Sequence, residues 1–129
     1  MRIKRPDYKE ATSIALEAER QMNYTLSLQV NDLSAFTIVR NIYECFRMLG
    51  DALLMIKGIK SKDHLEAINE ITKLHLNTNR PISAIDNLRR LRHNINYYGY
   101  HSSIEEAQDI LDFAKACFNP VVNEVRKKL

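Results

Sequence analysis

The sequence predicts an all-α fold, a single-domain five-helix bundle of mostly antiparallel neighbours. Apolar residues recur at intervals of three and four rather than two, and only three glycines and three prolines punctuate 129 residues, so helices account for the pattern and no strand does. The length suffices for one real core. An apolar share of 45% with 27% charged residues sets the chain apart from disordered and fibrous proteins. No linker, low-complexity tract or repeat divides it, so residues 1–129 form one expected domain.

The first helix is expected from about Pro6, a good first-turn residue, to about Leu28, with Ala11, Ile14, Ala15, Ala18, Met22 and Leu26 on one stripe. The NDLS stretch at 31–34 breaks the chain. A longer second helix carries Phe36, Val39, Tyr43, Phe46, Gly50 and Leu53 on its inner face and stops near Gly58, where a left-handed cap is accommodated. Gly50 in mid-helix costs about 1 kcal/mol against alanine, which points to close approach of another helix. Glu44 and Asp51 are expected on different sides of this helix.

The third helix starts at Asp63, with Glu66 completing a capping box, and runs to about Leu74 before fading in HLNTNR. Pro81 opens the fourth, which passes through Ile85, Leu88, Leu91 and Ile95 and ends at Gly99. Ser103 and Glu106 cap the fifth, which runs through Ile104, Ala107, Leu111, Ala114 and Phe118, and Pro120 kinks or restarts it.

The charge balance, 19 basic against 16 acidic residues, excludes a strong overall field for nucleic acid, so any basic surface is local. The local clusters are RIKR at the N-terminus, Arg89–Arg90–Arg92 and RKK near the C-terminus; both ends read most simply as solvated tails. Cys45 and Cys117 lie far apart among apolar neighbours and read as small core residues rather than a disulfide or metal pair. No signal-peptide core or bilayer-length apolar run is present, so a cytoplasmic protein without membrane partners is expected. His64 and His75, eleven apart on the expected third helix, stand about 16 Å apart along its axis, too far to share a metal ion. Glycine-rich phosphate loops, Cys-x-x-Cys pairs, His-Glu-x-x-His motifs and serine elbows are missing, and neither metal nor cofactor is expected.

The stretch LRHNINYYGY, Leu91 to Tyr100, is the most site-like in the chain. Arg92, His93, Asn94, Asn96, Tyr97 and Tyr98 crowd just before Gly99, more donors and acceptors than a purely structural helix end would carry. On a helix His93, Tyr97 and Tyr100 share one face and Arg92 and Asn96 the next, giving a polar strip about two residues wide. The plain alternatives are an arginine paired with an acid at a subunit seam and tyrosines packed with satisfied hydroxyls.

The combination LLMIKGIKSKDHLEAI, LRRLRHNINYYGY and SIEEAQDILDFAKACF resembles the HEPN superfamily (higher eukaryotes and prokaryotes nucleotide-binding), over roughly Ile42 to Phe118. The tyrosine-bearing NIYECFRMLGDALL, the KG turn at Gly58 and the following His64 fit that resemblance. The family motif is arginine, a polar residue, three variable positions and histidine. Arg92 and His93 fill the first two places, but Tyr97 stands at the sixth.

The resemblance implies a homodimer that binds RNA or nucleotide phosphate, often beside a minimal nucleotidyltransferase in toxin–antitoxin pairs, or a metal-independent endoribonuclease. It makes Arg92, His93 and Tyr97 the candidate catalytic residues and Arg92, Asn96, Tyr98 and His101 the candidate nucleotide or RNA ligands. Metal-free RNA cleavage needs proton transfers that histidine, with a pKa of about 6.5, performs better than tyrosine, with one of about 10. In an active enzyme His93 or His101 would supply them. Arg92 keeps the planar fork that fits phosphate oxygens in pairs. A third reading is a non-catalytic helical adaptor whose tyrosine strip contacts another protein.

Overall fold

The structure, a computed structural model, describes residues 2, 3 and 5–129, and at 2, 3 and 64 the backbone alone. The side chains of Arg2 and Lys4 in the N-terminal basic cluster, and that of His64, therefore lie outside the described residues. Among the latter there are five helices, α1 (Tyr8–Leu26), α2 (Ala35–Ile56), α3 (His64–Thr72), α4 (Ile85–Tyr98) and α5 (Ile104–Lys128), and a small strand pair, β1 (Arg2–Ile3) with β2 (Ile59–Lys60). The pair is antiparallel, with Arg2 opposite Lys60 and Ile3 opposite Ile59. No strand was expected; two residues a side are too few to show an alternation of period two. No described helix is long and apolar enough to cross a membrane.

Three of the helices, α1, α3 and α5, begin where a side chain satisfies the first amides. Pro6 does not open α1. Asp7 caps it, accepting the Glu10 N–H at 2.9 Å, and leaves the proline outside. The NDLS break is a turn in which Asn31 Oδ1 accepts the N–H groups of Leu33 and Ser34, both at 2.9 Å. Gly58, with φ 72°, follows α2 as its left-handed stop. Asp63 caps α3 as expected, but Glu66 returns its side chain to the N–H of Lys62 rather than to that of the cap.

The third helix ends at Thr72, so His75 lies in the following loop, not on the helix with His64. That loop is pinned to α5, where Arg80 Nη2 donates to Asp109 Oδ1 at 2.9 Å. After Pro81 the chain makes a single 3-10 turn, Ile82–Ala84, before α4 proper. Ser103 and Glu106 form the full capping box of α5, at 3.0 and 2.9 Å. The expected restart at Pro120 does not occur, and α5 runs through it as one helix. Cys117, Phe118, Val121, Val122 and Val125 are buried on both sides of the proline, and this burial offsets the hydrogen bond it removes.

The second helix is the axis of the bundle, packed against each of the other four and buried around most of its circumference. Ala11, Ala15 and Ala18 are fully buried on α1, and their small side chains let it lie close to α2; Ile14 and Leu26 of the same stripe are only half-buried. Phe46 of α2 meets Phe113 and Phe118 of α5 with ring centroids 5.3 and 5.4 Å away. Gly50 does admit a close neighbour. A Cβ there would collide with the Ala67 carbonyl of α3, whose carbon would lie 2.6 Å from it. Phe36, expected inside, is 42% exposed, at the edge of a hollow that the end of α4 also lines.

Candidate functional site

The fourth helix is the least covered of the five. It fully buries only Ile85 and Leu88; Leu91 and Ile95 are half-buried against the core, and from Arg92 onward most side chains face outward. Gly99 stops the helix with φ 63°, and the Tyr100 N–H returns to the Asn94 carbonyl at 3.1 Å, turning the chain toward α5. The motif thus lies along an open flank of α4 beside the first half of α2.

Arg92 stands on the ridge between two hollows. A cavity of about 270 Å³ on one side is lined by Thr37, Arg40, Asn41 and Glu44 of α2 together with Arg92 and Asn96. The hollow on the other side, about 470 Å³, is lined by Tyr43, Lys62, Arg89, Arg92, His93 and Tyr97. A third, about 480 Å³, shares Arg40 and Asn96 with the first and continues past Gly99 to His101. Asn96 thus lines the first hollow and His93 and Tyr97 the second, with Arg92 shared by both.

The guanidinium of Arg92 lies 5.0 Å from the centroid of the Tyr43 ring, and that of Arg40 lies 6.0 Å from the Phe36 ring. Neither arginine has a carboxylate partner among the described residues. Glu44 lines the first cavity, but Arg47 binds it and Asp51 alike. Those two acids lie seven residues apart on one face of α2, not on different sides, and Arg47 between them neutralises much of their charge. Burial pushes the Tyr43 hydroxyl above the ordinary tyrosine range, against the pull of the Arg92 and Arg89 charges, so it stays protonated at neutral pH.

The His93 ring packs on Tyr97 at 4.6 Å and meets the edge of Tyr98 at 5.7 Å. Tyr98, 75% exposed, stands beside His93 but lines none of the three hollows. Tyr100, expected on the face of His93 and Tyr97, belongs to the α5 cap instead, its hydroxyl donating to Glu106 at 2.9 Å. His101 Nε2 lies 3.1 Å from Asp32 Oδ1. Sequence reasoning did not find Thr37, Arg40, Asn41 or Lys62. For Arg40 a signal existed, a charge among the apolar residues of α2, but only the packing of α4 shows which way it faces. Among the described residues no three metal-ligating side chains gather.

No family model, curated protein or solved structure matches this chain. The site's own chemistry must carry its reading. Two fork-shaped cations, two amide side chains and a hydroxyl line one cavity beside the Arg47-bound carboxylate of Glu44, and with that charge drawn off they suit an oxyanion with several oxygens. Exposed aromatic rings border the adjoining hollow.

Proposed function

We propose that this chain is a HEPN-like, homodimeric component of a two-component, toxin–antitoxin-like system, which binds RNA or nucleotide phosphate at Arg92 and pairs with a minimal nucleotidyltransferase. The observation that carries the proposal is the pair of arginines, Arg40 and Arg92, lining one cavity whose one acid, Glu44, is bound by Arg47. Holding two such cations side by side is unfavourable unless an anion joins them. The resemblance of the Arg92 motif to the HEPN pattern supplies the dimer and the partner. Exposed Tyr98, which lines none of the three hollows, gives the end of α4 a surface that a second copy can cover.

The test is RNA binding by the purified chain in excess chelator across a salt series. Binding that weakens as salt rises and is lost in Arg92→Ala supports the proposal, because phosphate contacts release counterions. Binding of another protein with no salt dependence, and none of RNA, would instead favour an adaptor. A chain that stays monomeric at tens of micromolar, with partner pairing unaffected by Arg92→Ala, would remove the dimer and two-component parts.

A second reading, a metal-independent endoribonuclease, draws on the carboxylate beside His101: Asp32 can orient that ring while Arg40 and Asn96 line the same hollow. His93, next to Arg92, is the other proton carrier available. Cleavage in chelator that disappears in Arg92→Ala, and in either His93→Ala or His101→Ala, would establish it. Cleavage unchanged in the histidine double variant would not be this site's.

A further inference from the structure

The hollow on the far side of Arg92 is a second cationic site that the single-phosphate reading leaves unused. Lys62 from the turn before α3, and Arg89 and Arg92 from successive turns of α4, line it. Arg89 and Arg92 are three residues apart and so neighbours on the helix surface. The Arg89 Nε is buried and makes no hydrogen bond; the nearest charge on it is the Asp86 carboxylate at 3.7 Å. Asp63 also borders the hollow, but its carboxylate caps α3 through the Glu66 N–H. The cations there outnumber the one acid.

The wall of this hollow is aromatic where the first cavity's is polar. Tyr97, 66% exposed, packs against His93, and together they form a platform of rings with an open outer side. Arg92 belongs to both hollows, so an anion on one side and an anion on the other would share it. A mononucleotide carrying one phosphate can fill only one of the two.

Resting on the phosphate-binding reading above, we propose that the ligand is single-stranded RNA whose chain crosses α4 at Arg92. One phosphate lies in the Arg40–Arg92 cavity, the next between Arg92, Arg89 and Lys62, and an unpaired base stacks on the His93–Tyr97 platform. Duplex RNA keeps its bases stacked on each other and cannot offer one to the rings. Lys62 and Arg89 thereby join the site as phosphate ligands, and Tyr97 acts as a base platform in the place where the family pattern has histidine.

The experiment measures binding of labelled oligouridylates of one to eight nucleotides, and of a duplex of equal length, in excess chelator at several salt concentrations. Wild type is compared with Arg40→Ala, Lys62→Ala and Tyr97→Ala; Lys62 and Tyr97 are exposed, so their replacement leaves the fold intact. The expected result is a sharp gain in affinity once a strand offers two phosphates, and preference for the single strand. Arg40→Ala and Lys62→Ala should each lower the slope of log affinity against log salt by about 0.7. Tyr97→Ala should weaken single-strand binding by roughly 5- to 150-fold, the usual worth of one stacked base.

Uridine monophosphate binding as tightly as longer strands, or a Lys62→Ala slope equal to that of wild type while Arg40→Ala lowers it, would overturn the two-phosphate path and leave the phosphate site standing. Duplex binding as tight as single-strand binding, with Tyr97→Ala silent, would overturn the base platform. No binding at any length would overturn both this inference and the function on which it rests.

Discussion

Arg92 and Glu70 show opposite uses of charge in one small chain. Arg92 is held over a tyrosine ring and shares its cavity with Glu44, which Arg47 binds, whereas Glu70, 6% exposed, is clasped by Lys57 from the end of α2 and by Lys73, the latter at 2.8 Å. Burial alone would raise the Glu70 pKa, but the hydrogen bonds and charges of the two lysines win and hold it below the ordinary value of 4.5. A depressed folded-state pKa contributes stability in full above pH 4.5, lost as pH falls through the folded value. Glu70→Gln is therefore expected to cost about 1–2 kcal/mol at neutral pH and to flatten the acid limb of the stability curve below about pH 4.5. Denaturant titrations from pH 3 to 7 would show both; an unchanged acid limb would refute the assignment. Burial, with the Glu44 charge adding to it, pushes the Cys45 thiol up to about 12. Alkylation at pH 8 should then leave Cys45 unmodified in the native chain and label it on unfolding, as a timed mass measurement would show.

At the level of elements, the glycines and the caps carry the precision. Gly50→Ala places a methyl against the Ala67 carbonyl, a contact of backbone with side chain that only movement of α3 relieves, and a loss of about 1–3 kcal/mol is expected in chemical denaturation. Gly99→Ala meets nothing within 4 Å, yet its φ of 63° puts the alanine in the left-handed region at a cost of about 1–2 kcal/mol. The two substitutions look alike on paper and act through different physics. Adding a second truncation at Ala67, Ala67→Gly, would leave the first penalty largely in place, because the obstacle is a carbonyl. Ser103→Ala removes one half of a closed capping box and is expected to cost about 1 kcal/mol.

Across the whole molecule, stability and function separate by position. The second helix touches each of the other four, while α4 buries two side chains fully and carries the candidate site. Amide exchange should follow that division, slowest in the middle of α2 and fastest in the second half of α4. Equal protection in the two helices would show that α4 is held by something other than its own core contacts. This arrangement suits a ligand site, since a helix with few fixed neighbours can offer its face to a strand or to a second subunit.

The number and order of helices, the caps at Asp63 and Ser103, the stop at Gly58 and the polar strip around Arg92 were all legible in the sequence. Each depends on residues within a turn or two of one another, where spacing and side-chain chemistry act directly. Other features came from segments far apart in the chain. The continuity of α5 through Pro120 comes from the apolar residues that anchor it on both sides. Arg40 and Lys62 join Arg92 only because α2 and the turn before α3 are packed beside α4. Which charges find partners and which remain open to a ligand is a matter of distance in space, and that was decided by the tertiary structure.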